Sequence, residues 1–131
     1  SDLPNPHTNT KFYAELQMYS TGRASPDPEC FMNQFVSWEV AQKENKWQGR
    51  NLSRWRSAEY DDAYRAAKTE LDPLKRAALF IRMNELVIGN RVVIPIVIRP
   101  EAGAASNKLR MTLSGWDNHT WLLKDWYRED G

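Results

Sequence analysis

The segment SAEYDDAYRAAKTELDPLKRAALFIRMNELVIG, residues 57–89, contains the start and stop signals of two helices in succession. Ser57 can cap the first helix, and Asp72 followed by Pro73 gives the second helix a cap and a proline at its first position. Gly89 is a natural residue just past a helix C-terminus. Because the connection around Asp72 is short, the two helices should be neighbours. We therefore expect an antiparallel pair over Ser57–Thr69 and Asp72–Ile88.

Each predicted helix has one apolar face, because its large apolar residues recur at intervals of three and four. In the first helix these residues are Tyr60, Ala63, Tyr64, Ala67 and Leu71, and in the second they are Leu79, Phe80, Met83, Leu86 and Val87. The two faces should pack together. We expect Tyr64, Phe80, Met83 and Val87 to be buried.

The remaining elements are predicted by weaker patterns. Apolar and polar residues alternate over Ala14–Ser20, which favours a short strand. Asp27 and Pro28 begin another helix, whose apolar residues Phe31, Phe35 and Trp38 keep helical spacing. The β-branched run VVIPIVI over 92–98 predicts a buried strand, in which Pro95 needs an unpaired position. A further strand is expected near 109–112.

The loop NKWQGRNLSRWR, residues 45–56, interleaves tryptophans with cations, which is typical of a single-stranded nucleic-acid groove and also of a loop-to-helix junction. The chain has 18 basic and 17 acidic residues, so its net charge of +1 does not attract nucleic acid. The acidic start of the next helix would repel phosphate. We therefore expect no nucleic-acid partner, with Arg54 and Arg56 paired to Glu59 or Asp62 and Trp55 packed near Tyr60.

The chain lacks the recognisable motifs of catalysis, metal binding and export. Cys30 is its single cysteine, and the two histidines, His7 and His119, have no partner at metal-ligand spacing. No phosphate loop or nucleophile elbow is present. The longest apolar run, residues 92–98, is too short to cross a membrane, and the first residues are polar and do not form a signal peptide. We expect no enzyme activity, no metal and no cofactor.

Five segments in order resemble a known family. They are a strand ending in glycine with an Asp-Pro helix start (MYSTGRASPDPECFMNQF), an aromatic-basic loop (NLSRWR), a Glu-Tyr-Asp helix, an Asp-Pro-x-x-Arg helix and a strand containing Ile-Pro. Over about residues 12–126, this arrangement resembles the C-terminal part of a bacterial family 5 extracellular solute-binding protein. That family serves ABC importers of peptides, nickel and opines.

The resemblance implies an α/β fragment of a two-lobed periplasmic-binding-protein-like fold, with a helix pair and a few strands. Residues 1–93 would belong to the second lobe, and residues 94–131 would return to the first lobe, on which the Trp-rich tail would dock. The missing N-terminal portion of the same protein and an ABC permease would be its protein partners. The protein would then be periplasmic or otherwise extracytoplasmic, and the isolated chain would expose apolar surface.

One departure from the family pattern bears on the ligand. Peptide-binding relatives carry an aspartate a few residues before the Asp-Pro helix, where it binds the α-ammonium of the ligand. This chain has Gly22-Arg23-Ala24-Ser25 there, and Arg23 suits a carboxylate or another anionic group. We expect Arg23 to face the cleft between the lobes, with Tyr19, Thr21 and Ser25 near it. The alternative is that Arg23 is a surface arginine on a loop.

Two other function classes stay open from the sequence. A small helical interaction module could use exposed aromatics of residues 38–56 or 116–127 to dock a protein partner. An enzyme whose site is completed by a partner would require turnover, for which the sequence offers no nucleophile or acid–base pair. Solute binding by the full-length protein would distinguish a solute-binding protein from these two classes.

Overall fold

The computed structural model describes residue 11 and residues 15–22, 25–98, 104–112 and 122–129. It shows a small mixed α/β protein that is mostly helical and contains one two-stranded sheet. The helices are α1 (Glu29–Met32), α2 (Ala58–Thr69) and α3 (Pro73–Gly89), and the strands are β1 (Leu109–Arg110) and β2 (Tyr127–Arg128). Short 3-10 turns lie at Asn33–Phe35, Ser37–Glu39, Lys43–Asn45 and Leu123–Asp125.

The two long helices begin where their capping residues predict. The Ser57 hydroxyl accepts a hydrogen bond from the backbone N–H of Tyr60, and Asp72 Oδ1 accepts from Leu74 N at 2.9 Å and Lys75 N at 3.3 Å. These bonds satisfy N–H groups that the first turn of a helix leaves without a partner. At the other end, α3 includes Gly89, and the left-handed residue is instead Arg91, with φ of 54°.

Two side-chain contacts show that α2 and α3 run antiparallel. Arg76, early in α3, donates through Nε to the carbonyl oxygen of Ala67, late in α2, at 3.0 Å. Arg82, farther along α3, donates to Glu59, in the first turn of α2, at 2.6 Å. The start of α3 therefore lies beside the end of α2, and a later residue of α3 lies beside the start of α2. This confirms the predicted antiparallel pair.

The core lies between α2 and α3 and extends to α1 and the 3-10 turn after it. Tyr64, Phe80, Met83 and Val87 are all buried, as predicted. The other buried members of this cluster are Met32, Phe35, Val36, Tyr60 and Ala67. Tyr60 is fully buried, and its hydroxyl donates to the carbonyl oxygen of Met32 at 2.7 Å. That burial raises the pKa of the Tyr60 phenol well above its usual range.

Leu71, predicted as the last residue of the apolar face of α2, is instead 93% exposed. It lies beyond the end of α2, so its helical spacing no longer applies. The helix predicted over Phe31, Phe35 and Trp38 is also shorter than expected. It continues only as 3-10 turns, which leaves Trp38 about half exposed at 48%.

Two predicted strands are absent from the described residues. Residues 15–20 form no strand, Leu16 is 84% exposed and Met18 is 85% exposed, and Ala14 lies outside the described residues. The run over 92–98 is likewise unpaired, with Val92 and Val93 against the core and Ile98 almost fully exposed at 96%. A strand pattern becomes a strand only beside a second strand, and the described residues supply none here. The strand expected near 109–112 is present as β1, paired antiparallel with β2.

The interleaved tryptophans and arginines belong to a folded junction. Trp55 packs edge-on against Tyr60, with ring centroids 5.3 Å apart, as expected. The expected pairing of Arg56 with Glu59 or Asp62 is wrong, because Arg56 donates to the carbonyl oxygen of Ser37 at 3.2 Å and to Gln42. Glu59 and Asp62 pair with arginines of the helices instead. The Arg54 guanidinium stacks over Trp47 and donates to the carbonyl oxygen of Ala41.

An ionic contact joins the start of α1 to the helix pair. Arg76 binds both carboxylate oxygens of Asp27, at 2.9 and 3.1 Å, and reaches Glu29 at 3.3 Å. Asp27 Oδ1 also accepts from the backbone N–H of Glu29, but α1 begins at Glu29, so Pro28 rather than Asp27 stands at the N-cap position and the predicted cap is wrong by one residue. The hydrogen bond from Arg76, followed by that from Glu29 N, lowers the pKa of the Asp27 carboxyl below its ordinary value of 3.8.

We expect this contact to make the stability of the chain sensitive to acid. Because the folded pKa of Asp27 is lowered, its contribution is present above pH 3.8 and is lost as the pH falls through the folded value. The carboxylate is partly exposed, so its contribution should stay below about 1 kcal/mol. Urea unfolding of Asp27→Asn should show a smaller loss of stability than wild type between neutral pH and about pH 3. Equal losses of stability in Asp27→Asn and wild type would contradict this assignment. The control is Asp125→Asn, because Asp125 is exposed and lies outside the contact.

Candidate functional site

An open cleft of about 280 Å³ lies between the segment before α1, α1 with its following turn, and the turn at residues 49–52. Its lining residues are Tyr19, Ser20, Thr21, Gly22, Cys30, Phe31, Gln34, Gly49, Arg50 and Leu52. The cleft thus combines hydroxyl, amide and guanidinium groups with two apolar side chains. It contains two of the four residues predicted to bind ligand.

Tyr19 and Thr21 line one wall of this cleft. Tyr19 is half-buried, and burial raises the pKa of its phenol, which keeps it a neutral hydrogen-bond donor. The Thr21 hydroxyl lies 3.4 Å from Gln34 Oε1, within reach of a hydrogen bond. Gln34 in turn donates through Nε2 to the carbonyl oxygen of Phe31 at 3.0 Å. The structure therefore connects this segment to the turn that follows α1.

The other two predicted ligand-binding residues are placed differently. Arg23 lies outside the described residues. The Ser25 hydroxyl accepts a hydrogen bond from the backbone N–H of Asp27 at 3.2 Å, so it supports the approach to α1. Ser25 is half-buried and is not among the residues that line the cleft.

The opposite wall is a turn held by backbone pairing with an earlier segment. Val40 and Asn51 form a parallel bridge, in which Asn51 N donates to Glu39 O at 2.8 Å and Ala41 N donates to Asn51 O at 3.1 Å. Gly49 is buried against the same segment. A Cβ atom at Gly49 would lie only 2.2 Å from Glu39 O, so the close approach requires glycine.

The Asn51 side chain fixes the turn from the inside. It is fully buried, and its Nδ2 donates to the carbonyl oxygens of Val36 at 3.0 Å and Trp55 at 2.9 Å. Its Oδ1 accepts from the Ser53 hydroxyl at 2.8 Å. Asn51 begins a glycosylation sequon, Asn51-Leu52-Ser53, but this burial closes the folded chain to such modification. Asn51 instead holds the turn in place through these hydrogen bonds, at the position that follows Arg50.

Arg50 is the single formally charged residue among those that line the cleft. Its side chain is exposed, and within the described ranges its guanidinium makes no hydrogen bond or salt bridge. The nearest acidic contact is through the main chain, where Arg50 N donates to Glu39 Oε2 at 3.3 Å. Glu39 is not a lining residue, so Arg50 is the charged side chain that the described lining presents, with the Glu39 carboxylate beside its backbone.

Gly49 and Asn51 lie in the loop predicted over residues 45–56, but the sequence did not connect that loop to residues 19–21. The missed lining residues with polar side chains are Ser20, Cys30, Gln34 and Arg50. A glycine beside an arginine in NKWQGRNL was the available hint of a tight turn that presents a cation. The bridge to Val40 brings this turn to the cleft, and the neighbouring sequence contains no pattern that predicts it.

The cleft is suited to binding a small molecule through hydrogen bonds and one positive charge. Among the described residues, no group of three or more His, Cys, Asp or Glu side chains is placed to hold a metal ion. No helix in the described ranges is both long and apolar enough to cross a membrane.

In comparisons with known proteins, no protein-family model matches the chain, and no curated protein or solved structure matches it significantly. The functional conclusion therefore depends on the residues and their geometry.

Proposed function

We propose that this chain is part of the solute-binding component of an ABC importer. It would belong to the second lobe of a two-lobed protein that captures a small, peptide-like or anionic solute and delivers it to a membrane permease. The importer role follows from the sequence resemblance, and the observation that supports it is the cleft, in which Tyr19 and Thr21 face a turn that presents Arg50. These residues supply hydrogen-bond donors and one positive charge for a solute.

The exposed apolar segment after α3 supports the same proposal. Val92 and Val93 pack against the core, but Ile94 is 70% exposed, Ile96 74% and Ile98 96%. A run of exposed β-branched residues is unfavourable in water and is normally covered. In the proposed protein, this segment would return to the first lobe, and the rest of the protein would cover it.

The mechanism would be closure of two lobes around the solute, with no bond made or broken. The periplasm, or another compartment outside the cytoplasm, is where such a receptor would work. Its partners would be the solute, the permease and the remaining portion of the same protein.

A protein-interaction module is the second candidate. Trp38 is 48% exposed and Tyr127 is 60% exposed, and both lie in the segments that would form an aromatic docking surface. Such a module would bind a protein partner through the 131-residue chain alone.

Native mass spectrometry of the complete gene product distinguishes the two candidates. We expect the purified protein to carry a small solute, or to acquire one from a pool of peptides and small carboxylic acids. Denaturation should release that solute for identification. A gene product that takes up no solute, while the 131-residue chain forms a defined complex with a protein, would overturn the proposal in favour of the interaction module.

A further inference from the structure

We infer that the cleft selects a small aromatic carboxylate and that Arg50 is the residue that contacts its carboxylate. This inference deepens the proposed function and rests on it in treating the cleft as a solute site. Among the described residues that line the cleft, Arg50 is positive and none is acidic, while the Glu39 carboxylate contacts the Arg50 backbone from outside the lining. An exposed guanidinium with two parallel N–H donors matches a carboxylate in geometry.

The Arg50 side chain is also available to bind a ligand. Arg76 is engaged with Asp27 and Glu29, and Arg82 with Glu59 and Glu85. In the described part of the chain, the Arg50 guanidinium makes no such bond, and only its backbone N–H contacts Glu39. It can therefore bind a ligand without breaking an existing ion pair.

The apolar wall of the cleft also supports the inference. Phe31 and Leu52 are half-buried in this wall. Phe31 is held edge-on against Phe35, with ring centroids 6.1 Å apart, so its ring is a fixed surface for a second ring. The volume of about 280 Å³ lies just below the range of roughly 300–1,000 Å³ for drug-sized ligands, which favours a single-ring acid.

Cys30 provides a reporter for this cleft, because it is exposed, lines the cleft and is the single cysteine of the chain. Two disulfide reagents serve as probes: dithiobis(nitrobenzoate), an aromatic carboxylate, and dithiodipyridine, a neutral aromatic. In each reaction the Cys30 thiolate attacks the reagent, forms a mixed disulfide and releases one aromatic thiolate or thione, which is measured by absorbance. The ratio of the two rates cancels the intrinsic reactivity of the thiol.

Arg50→Gln should lower the rate ratio of carboxylate to neutral reagent by about threefold, as removal of one nearby positive charge predicts. Arg50→Lys should restore most of the wild-type ratio. Lys75→Gln, which removes the same charge from an exposed site on α3 outside the cleft, should leave the ratio unchanged. An unchanged ratio in Arg50→Gln would overturn the inference, as would an equal fall in Lys75→Gln.

The result is independent of the test of the proposed function. A complete gene product that binds a solute, together with an unchanged reagent ratio, would reject the role of Arg50 and retain the binding protein. A gene product that binds no solute would reject the binding protein even if Arg50 favours the anionic reagent.

Discussion

Replacing Phe80 with alanine is expected to lower the free energy of unfolding by about 3–5 kcal/mol, the usual cost of truncating a buried phenylalanine. Phe80 is 7% exposed and lies in the cluster that joins α1, α2 and α3. Its ring also lies under the Arg76 guanidinium, 4.7 Å from the ring centroid. The substitution therefore removes buried area and loosens the contact of Arg76 with the start of α1. Urea unfolding followed by circular dichroism measures the loss.

Ile81→Ala is the matched control for this substitution. Ile81 is the next residue of α3 but is 61% exposed, so its truncation should change the free energy of unfolding by less than about 0.5 kcal/mol. Similar losses for Phe80→Ala and Ile81→Ala would show that α3 does not pack on α2 as described.

Replacing Asn51 with alanine is expected to lower the free energy of unfolding by about 2–4 kcal/mol. It removes three side-chain hydrogen bonds, to Val36 O, Trp55 O and the Ser53 hydroxyl, each contributing roughly 1 kcal/mol, and it leaves a small cavity. The carbonyl oxygen of Val36 keeps its hydrogen bond from Glu39 N. The most costly hydrogen bond to lose is therefore the one to the carbonyl oxygen of Trp55.

Asn84→Ala controls for the change of residue type. Asn84 is exposed on α3, where alanine is the better helix former, so stability should stay the same or rise slightly. A fall of less than about 0.5 kcal/mol in Asn51→Ala, within the range of ordinary surface substitutions, would contradict the role assigned to the buried amide.

The parts of the fold that the sequence predicts are those fixed by neighbouring residues. Ser57 and Asp72 cap the nearest free N–H groups, and the apolar spacing around Tyr64 and Phe80 identifies the buried faces. Each of these patterns acts within a few residues. They therefore remain valid whatever surrounds the helix pair.

Several of the wrong predictions depend on distant parts of the chain. Residues 15–20 and 92–98 have strand-like patterns, yet no neighbouring strand pairs with them in the described residues. Arg56 has acidic residues close in sequence but binds Ser37 and Gln42, which a separate turn brings near. Long-range pairing leaves little trace in a local pattern.

The candidate site shows the same division. Tyr19 and Thr21 could be chosen from the segment that precedes α1, and they do line the cleft. Arg50 reaches that cleft only because Asn51 pairs with the segment after the 3-10 turns. A close approach at Gly49 completes the placement, and it depends on backbone atoms that no sequence motif specifies.

The most direct test of the account is a calorimetric titration of the solute identified on the complete gene product, using a variant that fills the cleft. Gly22 lines the cleft and a Cβ atom there would meet no described atom within 4 Å, so we expect Gly22→Trp to fold normally and to add a bulky side chain at the cleft. Gly89→Trp is the control, because Gly89 also faces open space and lies at the end of α3. We predict that Gly22→Trp weakens solute binding at least tenfold, a change of about 1.4 kcal/mol, and that Gly89→Trp leaves the affinity unchanged. Undiminished affinity in Gly22→Trp would show that the solute binds elsewhere.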